Sequence, residues 1–95
     1  MTRTWYLMSS HGVVLLHIAQ NPDATLRAMS EALDLTERRI SQIVQDLAEE
    51  DFLSIERVGR RSVYTINESA RMQHPALEQV RIKDVLDLVR NQTKS

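Results

Sequence analysis

The chain has no cysteine among its 95 residues. Disulfides, thiolate zinc sites and thiol redox switches are thereby excluded together, and the composition suits a reducing compartment. Nor is there a run of about 18 apolar residues, the length that a membrane-spanning helix needs. The opening residues, Met1-Thr2-Arg3-Thr4-Trp5, lack the basic segment, apolar stretch and small-residue cleavage site of a secretory signal. The expectation is a cytoplasmic protein without a membrane partner. Strong positive charge is missing too: 12 Lys and Arg stand against 13 Asp and Glu, a net charge of -1. A general nucleic-acid coat protein would be far more basic, so binding to nucleic acid would have to come from a local arrangement of charge. No paired carboxylates, nucleophile with its base, or glycine-rich phosphate loop stands in a context that supports catalysis. Neither an enzyme nor a cofactor is expected. His11, His17 and His74 have no thiolate companions and form no i, i+4 pair, so they read as surface or core histidines and no metal site is expected.

What is present fits one domain spanning residues 1–95, with 42% hydrophobic and 26% charged positions. The length leaves no room for a separate ligand domain. A chain this small buries a modest fraction of its surface, so pairing with a second copy would add stability. Val13 to Leu16 with Ile18 and Ala19 form an apolar run of helical length, preceded by Ser9 and Ser10 as caps and closed by Asn21-Pro22. Thr25 caps a second, short helix whose inner side carries Leu26, Met29 and Leu33. After the turn Leu33-Asp34-Leu35-Thr36, with Thr36 as cap and Glu37 at the positive end of the helix dipole, a third helix runs from about residue 37 to 50. Ile40, Ile43, Val44 and Leu47 follow the i, i+3, i+4, i+7 spacing of a buried face. Phe52–Val58 and Ser62–Ile66 are β-branched or aromatic in alternation around Gly59 and read as a hairpin sealed by Leu53, Ile55, Tyr64 and Ile66. A polar connector then leads through His74-Pro75 to a last helix, about residues 76–91. The fold class expected is mainly α with a small β-hairpin, its core within 9–67.

The face of the third helix opposite its apolar wall carries Arg38, Gln42, Gln45 and Glu49, with Ser41 alongside. Arginine suits guanine and glutamine suits adenine in bidentate contacts within the major groove, and serine is short enough to allow close approach. Charge along the helix is polarised: Arg38 and Arg39 lie at its start, and Asp46, Glu49, Glu50 and Asp51 crowd its end. Arg57, Arg60 and Arg61 follow in the hairpin with no acid between them. Laid on a phosphate backbone or in the minor groove, they would supply salt-dependent affinity. Any surface helix turns polar residues outward, so it is the sequence of helix, turn, polar-faced helix and basic hairpin that points to double-stranded DNA.

In that order and spacing, residues 13–66 resemble the winged helix-turn-helix domain of bacterial and archaeal transcription regulators, the broad class that includes the MarR-like and ArsR-like families. The likeness rests on Leu26 to Leu33, on Leu35-Thr36-Glu37-Arg38-Arg39-Ile40-Ser41-Gln42 entering the third helix, on Asp46 to Leu53 leaving it, and on Glu56 to Tyr64. Two positions depart from the pattern, since Asp34 and Asp51 stand where glycine is common; aspartate tolerates left-handed backbone better than most residues. The resemblance implies a dimeric, sequence-specific repressor. Its DNA contacts would be Thr36, Arg38, Arg39, Ser41, Gln42 and Gln45 on helix 37–50, with Arg57, Arg60 and Arg61 on wing 53–66. The C-terminal helix is apolar on more than one side, which marks it as the dimerisation element. Trp5, Leu77, Ile82, Val85, Leu86 and Val89 are the residues expected at the subunit contact. A two-fold dimer implies an inverted-repeat operator. The alternative is a winged-helix module that binds protein through its hairpin or its acidic helix end, without DNA. No site for a small-molecule effector is expected once the core is filled.

Overall fold

The computed structural model describes residues 7–93; Trp5, one of the residues expected at a subunit contact, lies outside them. The described residues form an α+β fold with four helices and a two-stranded antiparallel hairpin. No helix among them is long and apolar enough to cross a membrane. The first helix, α1 (Ser10–Gln20), starts where Ser9 Oγ accepts the Gly12 amide at 3.1 Å. It ends at Asn21, whose amide donates to the carbonyls of His17 and Ile18 just before Pro22. Val14, Leu15 and Ile18 make α1 the inner element, packed against every other helix and the second strand.

Helix α2 (Leu26–Leu33) begins under the expected cap, with Thr25 Oγ1 accepting the Ala28 amide at 3.0 Å. Met29 is fully enclosed, while Leu26 and Leu33 are half-buried against the same core. The turn into α3 (Glu37–Glu49) is set by Asp34, which adopts left-handed backbone at φ 55°. The Leu35 amide then reaches back to the Ser30 carbonyl, and the Ser30 hydroxyl donates to the Leu35 carbonyl. Thr36 Oγ1 accepts the Arg39 amide at 3.0 Å and opens α3. Ile40, Ile43, Val44 and Leu47 are all buried, as their spacing requires.

Helix α3 closes on the second positive-φ aspartate, Asp51 at φ 64°. The Asp51 amide donates to the Ala48 carbonyl and the Phe52 amide to that of Leu47, the paired bonds of a Schellman termination. The chain reverses there into β1 (Leu53–Val58), which pairs with β2 (Arg61–Ile66) from Leu53 opposite Ile66 to Val58 opposite Arg61. That register leaves Gly59 and Arg60 as a two-residue turn. Gly59 sits at φ 65° in open space, so the requirement for glycine is backbone conformation and not room for a side chain. Leu53 and Tyr64 are buried, with Ile55 and Ile66 half-buried beside them, so one face of the hairpin seals the helices. Asn67 ties the base of the hairpin, its side-chain amide donating to the Asp51 carbonyl at 2.8 Å.

The C-terminal part departs from expectation in two ways. The helix expected from about residue 76 begins at Ile82, as α4 (Ile82–Thr93); residues Pro75–Leu77 form only a single 3-10 turn, capped by His74. The cause is backbone pairing that helical periodicity does not report. The Met72 amide donates to Val80 and the Ile82 amide to Ala70, so residues 80–82 are drawn alongside 70–72 before a helix can start. Asp84 then accepts the Arg81 amide at 3.0 Å and opens α4. Second, Ile82 and Leu86, expected at a subunit contact, are 4% and 1% exposed. Helix α4 packs on α1 and turns this pair into the protomer's own core, leaving them no surface for a partner. Of the remaining expected contacts, Leu77 is exposed and Val85 and Val89 are half-buried; Leu88 is exposed as well.

Candidate nucleic-acid interface

The four buried residues of α3 fix its rotation, so the opposite face must look outward. Arg38, Arg39, Gln42, Gln45 and Glu49 are all exposed, and Ser41 is half-buried at the edge of the row. Thr36 is exposed at the start of the helix with its oxygen engaged by the Arg39 amide, leaving its hydroxyl proton free to donate. The free amides of the first turn and the helix dipole add positive potential beside Arg38 and Arg39. The far end has the opposite sign, because Glu49, Glu50 and Asp51 are exposed there and Asp46 is half-buried.

One side chain of this row, Gln42, is held in a particular orientation. Gln42 Nε2 donates to Asp46 Oδ1 at 3.0 Å, and His11 Nε2 from α1 donates to Asp46 Oδ2 at 2.8 Å. A carboxylate only accepts, so the glutamine nitrogen must face it and Oε1 turns the other way. One Nε2 hydrogen and Oε1 remain, which is the donor and acceptor pair that bidentate contact with adenine uses. The hydrogen bonds from His11 and then Gln42 hold the Asp46 carboxyl below its ordinary pKa against a small opposing effect of burial, with weaker help from the nearby charges of His11 and Arg39. The acceptor therefore stays ionised throughout the neutral range. Arg38 and Gln45 have no side-chain partner among the described residues.

The hairpin contributes a second basic group. Arg60 occupies the turn itself and has no side-chain partner among the described residues. Arg57 Nη1 lies 3.4 Å from Ser62 Oγ across the strands. Arg61 lies 3.9 Å from Asp23 in the α1–α2 connector, with both side chains about two-thirds exposed. Such a pair is worth little in water and leaves the guanidinium available to a phosphate. No hydrogen bond or ion pair joins the hairpin arginines to α3 among the described residues. Arg27 pairs with Glu31 one helical turn away, the behaviour of an ordinary solvated arginine.

Two features escaped the sequence reading. His11 and Asp46 are 35 positions apart, and nothing in their local spacing announces that they meet. The second is a cleft beside the core, which helical spacing does not report. A cleft of about 600 Å³ opens between α1, the C-terminal part of α3, the 72–74 segment and the start of α4. Among the described residues, α4 contributes Ile82 and Leu86 to the core and Val85 to the cleft wall, beside Leu15 and Leu16 of α1. The sequence matches no known family model and no curated protein.

Proposed function

We propose that this chain is a winged helix-turn-helix DNA-binding protein that acts as a dimeric transcriptional repressor. Helix α3 enters the major groove and the β1–β2 hairpin serves as the wing on backbone or minor groove. The observation that carries the reading is the outward face of α3. It is a row of long, base-competent side chains, with Gln42 pre-oriented by Asp46, on a helix capped at its basic end. The separate arginine group on the hairpin supports it. Arg38, Arg39, Arg57, Arg60 and Arg61 supply phosphate affinity, and Gln42, Gln45 and Arg38 supply base discrimination. With Ile82 and Leu86 enclosed and Val85 in the cleft wall, the second copy docks on the exposed side of the C-terminal segment through Leu77, Leu88 and Val89. Two such subunits read an inverted repeat with half-sites about 34 Å apart, and occlusion of a promoter is the mode of repression.

The test is an anisotropy titration of the full chain against a random duplex pool and genomic fragments, repeated at several salt concentrations. Duplex binding that weakens steeply with salt and selects a palindromic subset supports the proposal. No salt-sensitive binding to any duplex overturns it, in favour of a winged-helix module that contacts protein through the acidic end of α3.

A further inference from the structure

The cleft beside α1 is built for a ligand of a definite kind. Its walls are side chains such as Leu15, Leu16, Phe52, Met72 and Val85, with Met8 at one edge. Its volume of about 600 Å³ lies in the range of small-molecule sites, roughly 300–1,000 Å³. Asp46 and Glu50 are its carboxylates, His11 and His74 its imidazoles, and among the described residues no lysine or arginine lines it. Both acids sit on the last turns of α3, where the helix dipole adds further negative potential. The remaining polar groups do not offset this charge: His11 donates to Asp46, Gln73 donates to Glu50, and His74 caps the 3-10 turn. An anion would meet repulsion at the only polar end, and a neutral hydrocarbon would leave the two carboxylates unused.

We propose that this cleft binds a lipophilic ammonium ion, with its apolar body against Leu15, Phe52 and Val85 and its cationic head on Asp46 and Glu50, and that this ligand is the effector of DNA binding. The link to DNA is the Asp46 carboxylate, which is part of the cleft lining, accepts from His11 on Oδ2 and holds Gln42 through Oδ1. An ammonium head takes the place of the His11 donor on Oδ2 and draws the carboxylate inward. The Gln42 amide then loses its fixed orientation, and base readout weakens.

The coupling rests on the DNA-binding reading above, but occupancy of the cleft is measured without DNA. Three probes of one shape are titrated into the full-length protein and followed by naphthyl fluorescence: 1-naphthylmethylammonium, 1-naphthylmethanol and 1-naphthoate. The expected result is saturable binding of one cation per chain, at least tenfold tighter than the alcohol, with no detectable uptake of the acid. Asp46→Asn removes most of the preference for the cation and leaves the alcohol unaffected, and Glu50→Gln removes a smaller part. Val85→Trp, which fills the cleft from a half-buried position, abolishes binding of all three; circular dichroism checks that each variant folds. Equal affinity for the three probes, or a cation preference that survives both carboxylate changes, overturns the site. So does cation binding that appears only in Trp5→Ala, since the cleft is then occupied by the chain's own N-terminal segment or by that of a second copy. With duplex present, the cation is expected to weaken specific binding at least fivefold in the native chain, and by less in Asp46→Asn. Cation binding with no duplex binding at any salt overturns the repressor reading and its coupling while the site stands; duplex binding indifferent to a bound cation overturns the effector role alone.

Discussion

Gln42 donates to Asp46, and Asp46 is kept ionised by that bond together with the one from His11. The Gln42 amide is thus set by a neighbour one turn away and by a side chain from another helix. On the DNA-binding proposal, replacing Gln42 by alanine removes one bidentate contact, so preference at a single base position should fall by roughly 1 to 3 kcal/mol while affinity for random duplex changes little. Selection from a random pool with the two proteins checks this, and an unchanged consensus would show that α3 is rotated away from the bases. The pH dependence of Asp46 has a fixed sign. Its folded pKa lies below the ordinary value near 3.8, so its contribution to stability is complete above that value. It is lost as pH falls through the lowered folded value. Native chain and Asp46→Asn should therefore converge in urea stability as pH falls below about 4; a gap that persists unchanged down to about pH 2 would contradict the assignment. The caps Ser9, Thr25 and Thr36 were legible in the sequence because each acts on the first turn of its own helix. The His11 to Asp46 bond was not, because it exists only once α1 and α3 pack together.

Whole elements follow the same division between local and distant causes. Helix α3 could be placed from its apolar spacing, its cap and the turn before it, and both of its flanking turns contain an aspartate in left-handed backbone. Aspartate accepts that conformation with help from its short polar side chain, whereas a β-branched residue does not. Asp51→Val should cost about 1–2 kcal/mol in chemical denaturation, with Asp51→Gly within about 1 kcal/mol of the native chain. Equal losses for both would mean that the Asp51 side chain matters and its φ does not. Helix α4 was misplaced because its start is set by pairing of residues 80–82 with 70–72, a non-local contact, and because periodicity cannot say which of two apolar stripes meets the core. Leu86 went inward and Leu88 stayed out, at 1% and 65% exposed. Leu86→Ala should accordingly destabilise the protomer by about 2–5 kcal/mol, as loss of a fully packed leucine does. Leu88→Ser should leave that stability nearly unchanged and, on the dimer proposal, shift sedimentation towards the monomer. If Leu88→Ser still sediments as the native chain does, the proposed contact through Leu88 is wrong.

Across the whole molecule the net charge of -1 conceals a separation of sign. Arg38 and Arg39 lie at one end of α3 and Arg57, Arg60 and Arg61 on the hairpin; Asp46, Glu49, Glu50 and Asp51 lie at the far end of the same helix. A polyanion approaching this surface meets attraction only in the orientation that brings the start of α3 and the hairpin tip towards it, so charge sets the docking pose even though the total is unfavourable. On the DNA-binding proposal the groups at the tip act through phosphate, and phosphate contacts have a signature apart from affinity, since each releases bound counterion and adds about one to the salt dependence. Replacing Arg60 and Arg61 together by alanine should weaken binding to all duplexes alike and reduce the slope of log affinity against log salt by about 2 per chain, with the preferred sequence unchanged. Among the described residues Arg60 has no side-chain partner to lose and Arg61 has the exposed contact with Asp23, so folding stability should be unaffected. Weakened binding with an unaltered slope would mean that the two arginines shape the hairpin and do not touch the backbone. A changed consensus would instead place the hairpin tip in a narrow minor groove, where arginine reads groove width.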